Sequence, residues 1–495
     1  MPSQTGQNKK DILIIGAGIT GLSAAYKLHG LFNVTLLETS SRTGGKLHSV
    51  DFRGKKVDVG PDSFLTRNTS AVDLASKLNL SEHLVAPARQ GASLYSRGQL
   101  RKLPIDLALG IPTNLISVLS SQIVSPLSAL RSATDFFWPA KLPSFTALLD
   151  AAENTEASLP PVGYPDPSIG RLLNKRLGKE TVERLIAPLI AGINAGDINH
   201  LSFAATTPEL ARAVSEKRSI VLSLRNYKRQ ASPGGKLKTT TPPFLGLNTS
   251  LASLTESLTE NLLAAGVNIS LGVQATEIAL LPRDTKHWEV SIRQNNMSEE
   301  KVYFDGLILA LPAFATADLL AKALPEIASL CQEIPFSSVA TLLAAWNADE
   351  MPPIYGTGFL VARKPKKLIT GVTTLSSKWT HLSDTGEVWL KISAGHYSDD
   401  RVTTLDDETL TSAMIKDTKS ILGIAKDPIE NLLFRWENAF PQYNTGHIER
   451  IMKIDSMTAA IPTLSLAGAS YHGIGIPACI SDGIAAADKL SSALQ

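Results

Sequence analysis

Between residues 11 and 38 the hydrophobic pattern changes period twice. Asp11–Ile15, DILII, is a short unbroken run of branched apolar side chains, as in a strand buried on both faces. GAGITG interrupts it, and LSAAYKLHG then spaces its apolar and small residues as a helix does, up to Gly30. The apolar run 34–37 follows and ends at Glu38. The succession predicts strand, tight turn, helix and second strand. Residues 57–59 predict another short strand, entering a bend at Gly60-Pro61-Asp62-Ser63. Positions 273–278 alternate apolar and polar, and 304–311 run apolar to a stop at Pro312. Residues 287–294 and 301–304 predict a hairpin around a polar turn at 295–300. A last apolar run, 464–467, leads into a glycine-dense turn and a helix of small residues entered at Pro477.

The middle of the chain is patterned differently. Apolar residues from Val182 to Ile190 recur at three-to-four spacing, predicting a helix kinked at Pro188 and ended by Gly192, Gly196 and Asp197. Residues 103–130 carry one charge but are broken by Pro104, Gly110, Pro112 and Pro126. They predict short helices of an apolar lobe rather than a transmembrane span, and leave peripheral membrane contact open. Residues 318–435 mix strand patterns such as VATLLAAW and VWLKISAG with the helix pattern DETLTSAMIKDTKSIL, an α+β arrangement. The Pro, Ser and Gly of 152–166 and 229–243 predict loops.

Composition narrows the function classes. A chain of 495 residues is long enough for two or three domains, or for one with large insertions. With 43% apolar residues, 19% charged and a net charge of +2, it has no basic field for nucleic acid. Its two cysteines, Cys331 and Cys479, make no disulfide framework, and nine histidines show no HxH or HExxH spacing, so no metal centre is expected. The polar start MPSQTGQNKK lacks the apolar segment of a secretory signal, and we expect a cytoplasmic protein.

Gly16-Ala17-Gly18-Ile19-Thr20-Gly21 supplies the chemistry. Placed between strand and helix, Gly16 permits the turn, Gly18 lets backbone approach a pyrophosphate, and Gly21 allows close helix–strand packing. Glu38, at the end of the second strand, is placed to accept hydrogen bonds from a ribose diol. Beyond it, Glu38-Thr39-Ser-Ser-Arg42-Thr-Gly-Gly45-Lys46 puts paired glycines and two cations where they can face phosphate or ribityl oxygens.

On that block the chain resembles the flavin-containing amine oxidase superfamily, which carries E-x-x-x-R-x-G-G-[RK] here. The blocks LIAPLIAGINAGD, GTGFLV, RWENAFPQYNTGH and GASYHGIGIPACISDG narrow the resemblance to the porphyrinogen oxidases over nearly the whole chain. The resemblance implies a Rossmann-like FAD-binding domain with an inserted mixed-sheet substrate domain and a helical lobe, α/β and α+β in class. The FAD-binding parts are expected at 1–90, 244–285 and 436–495. The helical lobe is expected at 91–215, and the substrate domain at 286–435 with one cofactor-sheet strand at 304–312. The resemblance also implies non-covalent FAD. Gly60, Pro61, Asp62 and Ser63 would lie beside the flavin, the strands at 273–278 and 304–311 would both extend the cofactor sheet with Val273 against the adenine, and Trp436 would lie along the ring or ribityl chain. Gly468, Ile474, Gly475 and Ile476 would bring backbone and a helix N-terminus to the ring, the small residues of that last helix packing on the first glycine-rich one.

The activity implied is oxidation of a porphyrinogen in haem biosynthesis, removing six electrons in three two-electron steps, with O2 as acceptor and H2O2 as product. Coproporphyrinogen III is the first-choice substrate and protoporphyrinogen IX the alternative; a desaturase, an amine oxidase or a flavin-free binding protein of the same fold are the rivals. No acid–base residue is demanded, and none is named. Ile193, Asn194, Gly358 and Arg67 are the substrate-side candidates, with Arg89, Arg97, Lys175 and Arg176 as further cations for propionates. Asn194 stands where the family has Tyr, Thr249-Ser250 where it has Gly-Gly, and Ala478 where it has Asp. Cys479 is expected to pack, His472 to be exposed loop, and product hand-off to a chelatase is an open partner expectation.

Overall fold

A computed structural model describes residues 9–495 except 105, 109, 154–164, 216, 231–241, 283–286, 295–297, 364–366 and 384–385. The expected loops at 152–166 and 229–243, and the turn at 295–300, fall largely outside the described residues. The chain divides into two units: Met1–Val85 with Pro243–Ile334 and Lys453–Gln495, and Ala86–Pro242 with Pro335–Met452.

DILII is the central strand of the first unit. It lies in a five-stranded parallel sheet ordered Asn268–Leu271, Asn33–Glu38, Asp11–Ile15, Gly306–Leu309, Leu464–Leu466. Ile14 pairs with Leu36 on one side and Ile308 on the other, and its side chain, projecting from the sheet into the core, is fully buried. Helices Ile19–Leu28, Ala252–Ala264 and Ile476–Leu494 bury Leu22, Leu258 and Leu490 in the same core. Each such leucine stabilises the unit by roughly 1.5–3 kcal/mol.

One sheet assignment is corrected. Val273–Leu280 does not join the parallel sheet; it pairs antiparallel with Trp288–Gln294, which pairs in turn with Glu300–Phe304. The parallel sheet takes Asn268–Leu271 instead, pairing Leu271 with Glu38, and Gly272 at φ +68° then turns the chain away. Residues 273–278 bury Val273, Ala275 and Ile278, with a bulge between Ala275 and Glu277, the pattern of a sheet with one face covered, whereas the inner parallel strands Asp11–Ile15 and Gly306–Leu309 read as nearly continuous apolar runs.

The second unit is built on a seven-stranded sheet ordered Glu430–Pro441, Phe336–Asn347, Glu387–Ala394, Ile369–Thr374, Gly358–Val361, Ser93–Ser96, Gln99–Lys102. All neighbours are antiparallel except Gly358–Val361 with Ser93–Ser96. Trp346, Leu390, Ile392 and Met414 fill the core between this sheet and the helix Asp407–Leu422. The boundaries expected at 90/91, 285/286 and 435/436 shift accordingly. The hairpin 288–304 belongs to the first unit, and Arg435 and Trp436 are consecutive residues of one strand, paired with Ala340 and Val339, so no boundary falls between them.

Short helices from Leu115 to Gln230 complete the second unit around Phe145, Leu173, Ile186 and Phe203. Among the described residues no helix is long and apolar enough to cross a membrane. Near Pro188 the helix widens to a π turn, Val182–Ile186, before Ala187–Asn194 continues as α. Proline offers no N–H and its ring crowds the carbonyl four residues back, and the wider turn accommodates both. That helix ends at Ala195, left-handed at φ +47°; Gly192 lies inside it, against Leu360.

Ser250, where glycine is the resembled pattern, adopts φ +135° and is buried beside Asp58, whose carboxylate accepts the Leu251 N–H at 3.0 Å. A side chain at that φ is strained, and the Ser250 hydroxyl recovers little through its long 3.3 Å bond to Ser49. Ser250→Gly should stabilise the apoprotein by about 1 kcal/mol, read as a raised melting temperature. An unchanged or lowered one would mean the strain is relieved elsewhere.

Candidate functional site

The three glycines of GAGITG are kept for different reasons. Gly16 has φ +104°, donates its N–H to the Leu37 carbonyl at 2.8 Å, and would place a Cβ 2.5 Å from the Ala310 carbonyl oxygen. A Cβ on Gly21 would fall 1.9 Å from the Gly16 oxygen. Both glycines are therefore required by the fold itself. Gly18 is not: its backbone is extended at φ −72°, open to any residue, and a Cβ there meets nothing within 4 Å. Gly18 is also the N-cap of Ile19–Leu28, and no side chain caps that helix. Its first N–H groups and the positive end of its dipole open on the space over Gly18.

The segment after the second strand closes round the same point. Gly44 donates to the Ala17 carbonyl at 2.8 Å, and a Cβ on Gly45 would lie 3.4 Å from the Gly18 Cα. Glu38 holds this loop, accepting the Ala17 N–H at 2.9 Å on one oxygen and the Ser40 N–H and hydroxyl at 2.9 Å on the other. Thr39 is exposed. Arg42 departs from its expected role. Its guanidinium donates to the Thr43 and Gly45 carbonyls at 3.0 and 2.6 Å, bracing the glycine turn from within, and burial lowers its pKa against the pull of Glu38. Lys46 remains a candidate anion partner. Its side chain is exposed, and desolvation by the surrounding protein lowers its pKa. An anion brought beside that ammonium would offset the desolvation.

Val273 is buried one residue past Gly272, which donates to the Ser40 carbonyl at 3.0 Å, and so sits next to the Glu38 loop although its strand belongs to another sheet. The bend 60–63 leads to Phe64–Leu65, antiparallel to Phe244–Leu247. Pro61 is exposed, Gly60 and Asp62 are half-buried, and Ser63 donates to Asp62 at 3.3 Å.

The C-terminal run supplies the other side of the site. After Leu464–Leu466 the chain passes through Gly468, Gly473 and Gly475 at φ +128°, +143° and +129°. Gly475 N-caps Ile476–Leu494 without a side-chain cap, Pro477 occupies its first turn, and a Cβ on Gly475 meets nothing within 4 Å. Ile474 is half-buried and Ile476 buried. This helix lies hard on the motif helix: a Cβ on Gly483 would be 2.3 Å from the Thr20 carbonyl oxygen. Two uncapped helix N-termini and two glycines with open space above them thus belong to one unit. His472 is exposed in the loop as expected, and it also bonds carboxylates through both ring nitrogens.

In the second unit the substrate-side candidates separate. Trp436 is half-buried on its strand opposite Val339. Ile193 is 66% exposed, whereas Asn194 is buried with its amide donating to the Ile190 carbonyl at 3.1 Å, so its polar group is used within its own helix. Gly358 is explained by the sheet, because a Cβ there would fall 2.0 Å from the Val372 carbonyl oxygen. Arg176 is buried and paired with Asp135 at 2.7 Å, which removes it from the propionate candidates. Lys175 and Arg97 are exposed. Arg89 shares with Lys102 and Tyr355 an open recess of about 530 Å³. Arg67, in the first unit, is exposed.

Known proteins bear on this geometry. Residues 19–491 match the model of the flavin containing amine oxidoreductase family. A coproporphyrinogen III oxidase of Bacillus subtilis is 30% identical over 487 residues, 97% of each chain. One from Staphylococcus aureus is 28% identical over 98% of this chain and 100% of its own. The crystal structure of a candidate protoporphyrinogen oxidase from Exiguobacterium sp. 255-15 superposes with a TM-score of 0.81 at 28% identity, covering 99% of this chain and 100% of that one.

Proposed function

Because this chain belongs to the flavin containing amine oxidoreductase family, we propose that it is a porphyrinogen oxidase holding FAD non-covalently and converting coproporphyrinogen III to coproporphyrin III. The observation that carries the cofactor assignment is Gly18: nothing in the protein requires a glycine there, and a dinucleotide pyrophosphate does. We assign the motif 16–21, Glu38, Gly45, Lys46, Gly475 and the N-terminus of Ile476–Leu494 to FAD. Bound there, the flavin supplies two-electron oxidation with O2 as final acceptor. The chain's own part is to present N–H groups and the Lys46 ammonium to the anionic cofactor and to hold the backbone around it rigid. A covalent link through Cys479 is disfavoured, since burial and Asp482 raise its pKa and keep it a thiol.

The likeness to coproporphyrinogen III oxidases over nearly the full length favours that substrate. Protoporphyrinogen IX is the second reading, on the likeness to the Exiguobacterium structure. Arg89 and Lys102 offer two cations in one recess for carboxylates. The test is porphyrin fluorescence under air with both porphyrinogens offered to the FAD-loaded protein. Coproporphyrin should form faster. Faster protoporphyrin reverses the ranking, and no rate above the enzyme-free control overturns the reading.

We extend the reading to a lipid surface and, for a photoreactive product, to hand-off to a metal-inserting enzyme. Ile116, Leu127 and Phe137 are 76, 77 and 87% exposed on the helices and turn between 115 and 137. Arg131, one turn on from Leu127, donates to the Lys175 carbonyl at 2.9 Å, and the Lys175 side chain is exposed. Exposed apolar side chains on a segment that also carries Arg131 suit an anionic bilayer. The protein should float with phosphatidylglycerol vesicles at low salt, and Leu127→Asp/Phe137→Asp should not; sedimentation of the unchanged protein away from the vesicles contradicts the extension.

A further inference from the structure

His472 lies in the glycine-rich turn between Gly468 and Gly475, and three elements meet on its ring. Its Nδ1 is 2.8 Å from Asp482 Oδ1 on the C-terminal helix, and its Nε2 is 3.1 Å from Asp455 Oδ2 on the helix His447–Ala459. The second oxygen of Asp482 accepts the Gly468 N–H at 2.6 Å. A neutral imidazole has one N–H and would set its other nitrogen lone pair against a carboxylate, so this geometry requires the imidazolium. Burial works against the charge, but the hydrogen bonds to Asp455 and Asp482 outweigh it and raise the pKa to about 10.

The turn needs such an anchor. Gly468, Gly473 and Gly475 all lie at positive φ, a region that glycine enters freely, and with no Cβ they leave the backbone of the turn few side-chain contacts of its own. On the inner side it is held by Ser470, whose hydroxyl accepts the Ala313 N–H at 3.0 Å, and by Tyr471, whose hydroxyl donates to Thr316 at 3.1 Å. On the outer side His472 joins it to two helices. The other ionisable groups facing the cluster are Lys489, toward Asp455, and Tyr471 and Cys479, toward Asp482, with Lys46 toward Cys479. Burial lowers the pKa of Lys489 and raises those of Tyr471 and Cys479.

We propose that His472 is a positioning residue for the flavin, a fixed cation that clamps the 468–475 turn between Asp455 and Asp482 and so sets the exposed N-terminus of the last helix in one orientation toward the cofactor. This rests on the reading of the first unit as the FAD site. It does not touch the question of which porphyrinogen is oxidised.

The test is FAD affinity of the full-length apoprotein, measured by quenching of flavin fluorescence, together with the NMR titration of the His472 ring. His472→Gln should weaken FAD binding about tenfold to a hundredfold at neutral pH, because a charged hydrogen-bonded clamp is lost. His472→Arg, which keeps the charge, should recover affinity to within about threefold of the unchanged protein. Should the glutamine variant not fold, Asp455→Asn serves, with an expected loss of about threefold to tenfold and an imidazole that titrates at lower pH. The sign of the pH dependence follows from the raised pKa. The advantage of His472 over glutamine is complete below about pH 6.5, the ordinary histidine value, and falls away as pH rises through about 10. Affinity of the glutamine variant within twofold of the unchanged protein, equal loss in the arginine variant, or a ring already neutral at pH 8 would each overturn the assignment. An unchanged protein that takes up no FAD would instead refute the flavin reading on which it rests.

Discussion

Gly18→Val should give a folded protein without flavin. Valine suits the backbone at Gly18, φ −72° and ψ 178°, and its Cβ would meet no protein atom within 4 Å. The apoprotein should therefore melt within a few degrees of the unchanged one, since a substitution away from packing contacts costs about 0.5 kcal/mol or less. What the valine fills is the approach to the N–H groups of the motif helix. We expect FAD affinity to fall by at least about a hundredfold, roughly 2.7 kcal/mol. Gly21→Val is the control that separates folding from binding. Its Cβ would overlap the Gly16 oxygen at 1.9 Å, and little soluble protein should result. Equilibrium dialysis with FAD and a melting curve decide the matter; a Gly18→Val protein that binds FAD normally would remove the main support for the site.

The largest expected loss of stability lies in the second unit, at Asp135. One carboxylate oxygen accepts Nε and a terminal nitrogen of Arg176 at 2.8 and 2.7 Å; the other accepts the Ser219 hydroxyl at 2.7 Å and the Val221 N–H at 3.0 Å. Arg176 also donates to the Arg218 carbonyl, and its guanidinium lies 5.0 Å from the centre of the Trp138 ring. Both charged side chains are almost wholly buried. Asp135→Ala leaves the guanidinium buried without its counter-ion and should cost about 3–5 kcal/mol, a large part of the 5–15 kcal/mol that typically holds a domain. Replacing both, as Asp135→Leu with Arg176→Met, should recover most of that, because the desolvation of two charges disappears with them. Urea unfolding followed through the second unit's tryptophans reads both variants. A single replacement costing under about 1 kcal/mol would mean that water reaches the pair.

These two cases also show where sequence reading reaches and where it stops. GAGITG, Glu38, the turn at 44–45 and the final glycine-rich run were legible because each is local: the spacing of glycines between a strand and a helix carries its own reason. The closeness of the first and last helices was legible too, since small residues such as Gly483 permit it. Arg176 was misread because its partner lies 41 residues away on another element, and nothing beside it in sequence marks it as buried. Gly358 is a substrate-side candidate through the resemblance alone, and its neighbour across the sheet, Val372, already explains why a glycine stands there. His472 went unrecognised for want of Asp455, on a separate helix, although Asp482 ten residues on in the next helix was a usable signal. Val273 was assigned to the wrong sheet because alternation specifies a strand and its covered face but not its partner.

Electron transfer from a porphyrinogen to FAD on this protein is tested by a single anaerobic mixing experiment. The FAD-loaded protein is mixed with coproporphyrinogen III without oxygen, and the yellow flavin absorbance is followed in time. The flavin should bleach as it accepts electrons from the porphyrinogen and recover its colour when air is admitted. A flavin that stays oxidised under coproporphyrinogen III and protoporphyrinogen IX alike, yet bleaches with dithionite, would contradict it.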